Sequence, residues 1–261
     1  MTRLELKRRI AKIWPRDYFS KKIILLYHSV GNSLLGMPKD KFRDQINWLT
    51  DHCVVVPLTE LLESKPKLND TIQVALTFDD GYQSLHDQVA PILIEKKVQA
   101  TVYINTGWMG EGSEGRKLSK PELGHYPDEA FLTWQEVKAL YDAKWEIGSH
   151  GVNHYNFART SPELMYQELS QSKRDIESYL GAECLHFAYP WGRHSRQVKK
   201  AVKEIGYKYA AAACHASISP HVDLYALPRM NIETTYSIAD FKNILMGKWN
   251  YLGLIHKLRG M

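Results

Sequence analysis

Gln73-Val-Ala-Leu-Thr-Phe-Asp-Asp-Gly81 is the stretch from which the fold is read. Its first six residues make a short strand of apolar and β-branched character, and two adjacent carboxylates follow where that strand ends. Similar runs recur at Lys22 to Tyr27, Val54 to Leu58, Gln99 to Ile104, Trp145 to Gly148, Leu185 to Tyr189, Tyr207 to Ala213 and Tyr225 to Met230. Stretches of helical period separate them: Phe42, Ile46 and Leu49 share a helix face, and Thr133-Trp-Gln-Glu136 is a capping box. Ser161-Pro162-Glu163 opens another helix, while Gly181 and Gly206 stand where left-handed C-terminal caps are expected. Strand and helix in alternation place the chain in the α/β class, with a parallel sheet covered by helices. Eight strand candidates predict a distorted (β/α) barrel of seven to eight parallel strands. The length of 261 residues suits a single domain, with a core over about 22–245 and basic amphipathic segments at 1–20 and 247–261.

Side chains alternate along a strand, so Asp79 and Asp80 face different ways, and one can meet a metal while the other meets the substrate water. Asp-Asp-Gly also reads as an ordinary turn, so the pair needs partners. Ser149-His-Gly-Val-Asn-His154 supplies two imidazoles four residues apart, which converge on one ion if the segment turns helically after its strand. Two histidines and Asp80 make three protein ligands and leave a position for water, the pattern of a catalytic site. In a chain with 11 histidines, a lone pair of them is more often structural. Phe187-Ala-Tyr-Pro-Trp-Gly192 ends another strand in a tight turn, which would aim the Trp191 N–H at a developing oxyanion. A plain turn with a packed indole is the competing reading.

These three clusters, in this order and spacing, resemble the polysaccharide deacetylases of the NodB-homology type, carbohydrate esterase family 4. The resemblance covers roughly residues 22 to 245. It implies that Asp79 is the base, that Asp80, His150 and His154 hold a divalent metal, and that Tyr189-Pro-Trp-Gly192 is the third motif. Gly151 stands where the family usually has Ser or Thr. Ala188 stands where an arginine often tethers the base, and Arg229 is the candidate replacement, with a surface or core-edge arginine as the alternative. The family's acid is a histidine after an apolar strand, and His28 and His256 compete for the role. Leu25-Leu-Tyr-His-Ser-Val30 is similar to the arrangement of circularly permuted members, which favours His28. His28, Asp79, Asp80, His150, Trp191 and Arg229 all fall at or beyond C-terminal strand ends, and an α/β barrel gathers those ends on one face. His86, His125, His186, His194, His215 and His221 fit no such pattern and are read as surface or packing residues.

The expected reaction is metal-dependent removal of an N-acetyl group from an amino sugar. The metal is expected to be Zn²⁺, although mixed nitrogen and oxygen ligands also accept Co²⁺, Ni²⁺ or Mn²⁺. An N-acetylated carbohydrate is the expected partner, with Trp108, Trp134 and Trp191 as candidates to stack on sugar faces. Two other readings share the motifs: a deformylase or deacetylase of a lipid-linked aminosugar or a small-amide amidase, and a non-catalytic carbohydrate-binding relative. The net charge of +5 is too mild to argue for nucleic acid. It gathers at the termini, where Leu4, Leu6, Ile10 and Ile13 mix with cations, as do Trp249, Leu252 and Leu258. Such segments pack on a domain or lie on an anionic membrane surface. No apolar run has transmembrane length and the N-terminus lacks a signal-peptide core, so a cytoplasmic protein is expected. Cys53, Cys184 and Cys214 sit singly, without thiolate-metal spacing.

Overall fold

A computed structural model describes residues 2–15, 22–31, 33–64, 71–111, 121–126 and 128–258, without the side chains at 121, 257 and 258. Parts of the terminal segments (Met1, 16–20 and 259–261) and residues 112–120 and 127 lie outside the described residues. In chain order the elements are α1 (Arg3–Ile13), β1 (Lys22–Tyr27), α2 (Lys39–His52), β2 (Val54–Val55), α3 (Leu58–Glu63) and β3 (Gln73–Phe78). They continue with α4 (Ala90–Glu95), β4 (Thr101–Ile104), α5 (Trp134–Asp142), β5 (Glu146–Ser149), α6 (Pro162–Leu180) and β6 (His186–Ala188). The chain closes with α7 (Arg196–Glu204), β7 (Tyr209–Ala211), β8 (Met230–Asn231), α8 (Ile238–Leu245) and α9 (Tyr251–Leu258).

All strand pairs are parallel, in the order β7-β6-β5-β4-β3-β1-β8. The segment before β8 curls this sheet into a barrel. Leu227 bridges Ala211 of β7, with Leu227 N–H donating to Ala210 O at 2.8 Å and Ala212 N–H donating to Leu227 O at 2.8 Å. Three residues later Met230 and Asn231 pair with Leu25 and Leu26 of β1. The strand expected over 225–230 is therefore only the two residues Met230–Asn231, with Pro228 interrupting the ladder by its missing N–H. The run 54–58 is also shorter than expected: Val54–Val55 pairs with the start of β3, off the barrel path, and Leu58 already opens α3.

Parity along the strands sorts their residues into two layers. Ile23, Leu25 and Tyr27 of β1 and Val74, Leu76 and Phe78 of β3 join the large core under the helices. Ile24, Ala75, Tyr103, Ala188, Ala211 and Leu227 form a second, smaller cluster that fills the barrel interior. Inward parity carried past the strand ends selects His28, Asp79 and His150, and it also selects Arg229 just before β8.

Local signals match these elements. Thr133 and Glu136 cap α5 reciprocally, Ser161 caps α6 at Leu164 N, and Gly181 ends α6 at φ 66°. The terminal helices pack on the domain. Leu4, Ile10, Trp14, Leu252 and Ile255 lie against the core, Arg8 holds Asp240 through two nitrogens, and Tyr251 Oη donates to Lys7 O at 2.8 Å. No helix among the described residues is long and apolar enough to cross a membrane.

Phe42 is fully buried between Tyr27 and Phe78, with ring centroids 5.5 and 6.0 Å away. Phe42→Ala is expected to cost about 3–5 kcal/mol, read from the urea unfolding midpoint with the slope unchanged.

Candidate active site

The register of the sheet brings the inward residues together. Tyr27 pairs with Phe78, so His28 and Asp79 leave adjacent strands side by side, and Asp79 N–H donates to Tyr27 O at 3.0 Å. Ile104 pairs with Ser149, and His150 N–H donates to Ile104 O at 2.8 Å, which brings His150 to the same end. A cleft of about 330 Å³ opens there, lined by His28, Asp79, Asp80, His150, His154 and Trp191. Leu26, Ala213 and Asn231, which share the inward parity, also line it.

Arg229 meets Asp79 head-on. Nη1 donates to Oδ1 at 2.6 Å and Nη2 to Oδ2 at 2.7 Å, while Nε donates to Ala212 O at 2.8 Å. The guanidinium is fully buried and its carbon lies 5.3 Å from the centroid of the Tyr103 ring. Burial pushes the Asp79 carboxyl upward, yet the Arg229 charge outweighs it, with help from His150, and holds Asp79 at about 2. Asp79 is therefore ionised throughout the neutral range.

Asp80, His150 and His154 form a separate cluster, with one potential ligand atom from each within 4.8 Å of the others. His150 Nε2 is 3.6 Å and His154 Nε2 3.5 Å from Asp80 Oδ1. The two imidazoles do not converge through a helical turn as expected, because residues 150–156 are irregular. Instead His154 takes a left-handed backbone at φ 59°, and Asp80 does the same at φ 72°. Such positions cost about 1–3 kcal/mol each and are held only where the surroundings over-determine them. The surroundings here include Glu168 of α6, whose Oε2 accepts the Val152 and Asn153 N–H groups at 2.9 and 2.8 Å. Glu168 has no motif signal; only the fold brings α6 beneath the histidine loop.

These residues suit a divalent cation. Each imidazole faces a backbone carbonyl through Nδ1, His150 at 2.8 Å from Ala188 O and His154 at 2.5 Å from Leu123 O, which leaves Nε2 as the free lone pair. Burial lowers His150 to about 3 and His154 to about 4, so both rings are neutral and able to ligate. Asp80 Oδ1 is buried without a hydrogen-bond partner among the described residues, and burial, with the neighbouring Asp79 charge, raises its carboxyl to about 6. An unpartnered carboxylate oxygen facing two neutral imidazoles is a donor set that a cation completes. A second group, His86, Asp87 and Glu136, lies at the surface, and Glu136 already caps α5 at Thr133 N.

Trp191 is 45% exposed at the rim, 5.2 Å from the His154 ring, with a left-handed backbone at φ 62°. Its indole lies on Gly124, where a Cβ would come within 2.2 Å of the ring. Trp108 and Trp134, the other stacking candidates, do not line the cleft. Trp108 is core, packed on Phe131, and Trp134 packs on Tyr179 of α6. His215, expected to be a surface or packing residue, and His256, the rival of His28 for the acid, both line the cleft. His256 Nδ1 accepts from His215 N–H at 3.1 Å, and both face the cleft beside Lys7 of α1. The packing of α9 against α1 brings His256 there, while His215 follows β7. The stretch between β4 and α5 also contributes, through Gly124 and Tyr126.

Residues 67–210 match the family model described as polysaccharide deacetylase, more than half of the chain. The chain belongs to the polysaccharide deacetylase family and is a hydrolase of that class. YxkH of Bacillus subtilis (strain 168), which carries a polysaccharide deacetylase name, is 26% identical over 227 residues, 85% of this chain and 75% of that protein. The poly-beta-1,6-N-acetyl-D-glucosamine N-deacetylase of Staphylococcus aureus (strain MRSA252) is 25% identical over 208 residues, 76% of this chain and 68% of that one. Among solved structures, the Streptococcus pyogenes deacetylase PplD in complex with acetate superposes with a TM-score of 0.72 at 23% identity, covering 86% of this chain and 98% of that one. IcaB from Ammonifex degensii gives 0.71 at 19% identity, covering 87% and 96%. Both share the fold, a parallel sheet curled into a barrel with helices outside it.

The Asp79–Arg229 pair has a direct test. Arg229→Met strands a buried carboxylate and is expected to destabilise the protein by about 3–5 kcal/mol, whereas Asp79→Leu together with Arg229→Met recovers most of that loss. Equal destabilisation by the single and double variants in urea unfolding would show that the two residues are uncoupled.

Proposed function

We propose that the chain removes N-acetyl groups from amino-sugar residues of a saccharide with a divalent cation held by Asp80, His150 and His154. The observation that carries this reading is the pairing of two unlike carboxylates on consecutive residues. Asp79 is ionised and saturated by Arg229, while Asp80 Oδ1, without a hydrogen-bond partner among the described residues, lies beside two neutral imidazoles. Zn²⁺ is the favoured ion, with Co²⁺, Ni²⁺ and Mn²⁺ compatible with the same donors. When bound, such an ion polarises the amide carbonyl and acidifies water.

The chain's own groups do the rest. Asp79 accepts the proton of the attacking water, and Arg229 fixes the carboxylate's orientation through both oxygens. His28, which shares the cleft, protonates the leaving amine. Trp191 offers its N–H to the oxygen that gains charge at the rim, and no backbone acceptor competes for that N–H among the described residues. The named substrate of the Staphylococcus aureus relative supports an N-acetylglucosamine polymer as substrate class.

Metal analysis of purified protein, coupled to acetate and formate release from N-acylated saccharides, tests this reading. Asp80→Ala is expected to lose both metal and turnover. Asp79→Asn is expected to retain metal while losing about 10²–10⁴-fold in kcat. A protein that purifies without metal, gains none on reconstitution and releases no acyl group would sink the reading; formate without acetate would redirect it to deformylation.

Removal of the ion has a separate signature in stability. With free metal at about 100 times its dissociation constant, the folded state is expected to gain about 2.7 kcal/mol over chelator-treated protein. The gain, read as a rise in thermal midpoint, is expected to vanish in Asp80→Ala.

A further inference from the structure

His150 and His154 are anchored in different ways. His150 continues the sheet, where its N–H donates to Ile104 O at 2.8 Å. His154 lies beyond the strand with a left-handed backbone, its ring facing Leu123 O. The spacing of the two imidazoles, 4.8 Å from centroid to centroid, is therefore decided by the residues that join them, 151–153. No helix or strand includes those residues, so no repeating ladder holds their backbone.

A polar stripe on α6 holds it instead. Helical spacing brings Glu168, Ser172 and Asp175 to one face, whereas the buried positions Met165, Leu169 and Ile176 of the same helix are apolar. Glu168 is 4% exposed and spends both carboxylate oxygens on the loop. Its Oε2 accepts the Val152 and Asn153 N–H groups at 2.9 and 2.8 Å, and its Oε1 accepts from Asn153 Nδ2 at 2.7 Å. Ser172 Oγ lies 2.7 Å from Ser149 Oγ, which accepts the Gly151 N–H at 3.1 Å. Asp175 Oδ2 accepts from Thr106 Oγ1 at 2.7 Å, and the turn at Thr106 grips the loop from its other side. There Thr106 N–H donates to Gly151 O at 3.1 Å and Gly107 N–H to Val152 O at 3.0 Å. A side chain at Gly107 would not fit, because a Cβ would stand 2.9 Å from that Val152 oxygen. A buried carboxylate is costly unless N–H groups fill it, and amides shielded from water are costly unless an acceptor meets them. Glu168 and the loop each supply what the other lacks.

We propose that Glu168 is a positioning residue for the cation site, fixing residues 151–153 so that the two imidazoles stand at one spacing before a cation arrives. The ordering of the loop is then achieved in folding and not at binding, which raises affinity without adding a ligand. The inference rests on the reading of Asp80, His150 and His154 as the cation's ligands.

Titration of metal-free protein with Zn²⁺ in competition with a chelating dye reads this role without turnover. Glu168→Ala strands both loop amides and is expected to weaken Zn²⁺ binding about 10–100-fold. Glu168→Gln keeps an oxygen for those amides and is expected to stay within about twofold of the unaltered protein. Ile176→Ala, two turns along the same helix, removes packing alone. It is expected to leave the affinity unchanged while lowering the thermal midpoint by a comparable amount. Asn153→Ala, at a partly exposed position, takes away the partner of Oε1 and is expected to weaken binding about fivefold, which keeps the test decisive should Glu168→Ala not fold. Unchanged affinity in Glu168→Ala overturns the proposal, as does unchanged affinity in Asn153→Ala where Glu168→Ala does not fold. An equal loss in Ile176→Ala overturns it too, by making the effect one of general stability. A cation bound with an affinity indifferent to Glu168 leaves the deacetylation reading standing, whereas an unaltered protein that takes up no cation removes both.

Discussion

The buried ion pair between Asp79 and Arg229 is the interaction on which the rest of the site depends. Taking both charges out of water costs several kcal/mol per ion, and only close two-point geometry with further hydrogen bonds offsets that cost. The chain meets both conditions with one arginine, whose forked end holds the carboxylate and whose Nε holds the Ala212 carbonyl. Because Asp79 follows β3 and Arg229 precedes β8, the pair also links the middle of the sheet to the segment that closes it. Fold closure and the orientation of the Asp79 carboxylate thus share one contact.

That pair divides the labour of the two adjacent aspartates. Asp79 is fully engaged, so it stays ionised despite its burial. Asp80, turned aside by its left-handed backbone, is held by no such cation among the described residues. One residue of separation therefore yields two carboxylates with opposite needs. The histidines complete the contrast, since burial strips them of charge and leaves Asp80 with neutral neighbours.

Much of this was legible in the residues themselves. The strands β1, β3 and β4 are apolar because both their faces are covered, and the ends of such runs locate Asp79 and His28 without further information. Closure of the barrel was harder to read, because only two residues of the last strand pair with β1 and Pro228 breaks the run before them. The Val54–Val55 run misleads for a related reason: a strand beside only the first half of β3 looks, in sequence, like one that spans it. The convergence of His150 and His154 was foreseen through a helical turn, whereas positive φ at His154 achieves it, and no side-chain pattern advertises that for a histidine. Glu168 and His215 were illegible as site residues because each reaches the site through packing between elements distant in sequence.

The segment carrying Leu123 and Gly124 gives no ligand atom, yet it touches the site twice. Its carbonyl orients the His154 ring and its glycine underlies the Trp191 indole. Ligand geometry and rim position are therefore one mechanical unit. A displacement of this segment moves the His154 imidazole and the Trp191 indole together. The rim of the cleft is in this sense mechanically tied to its centre.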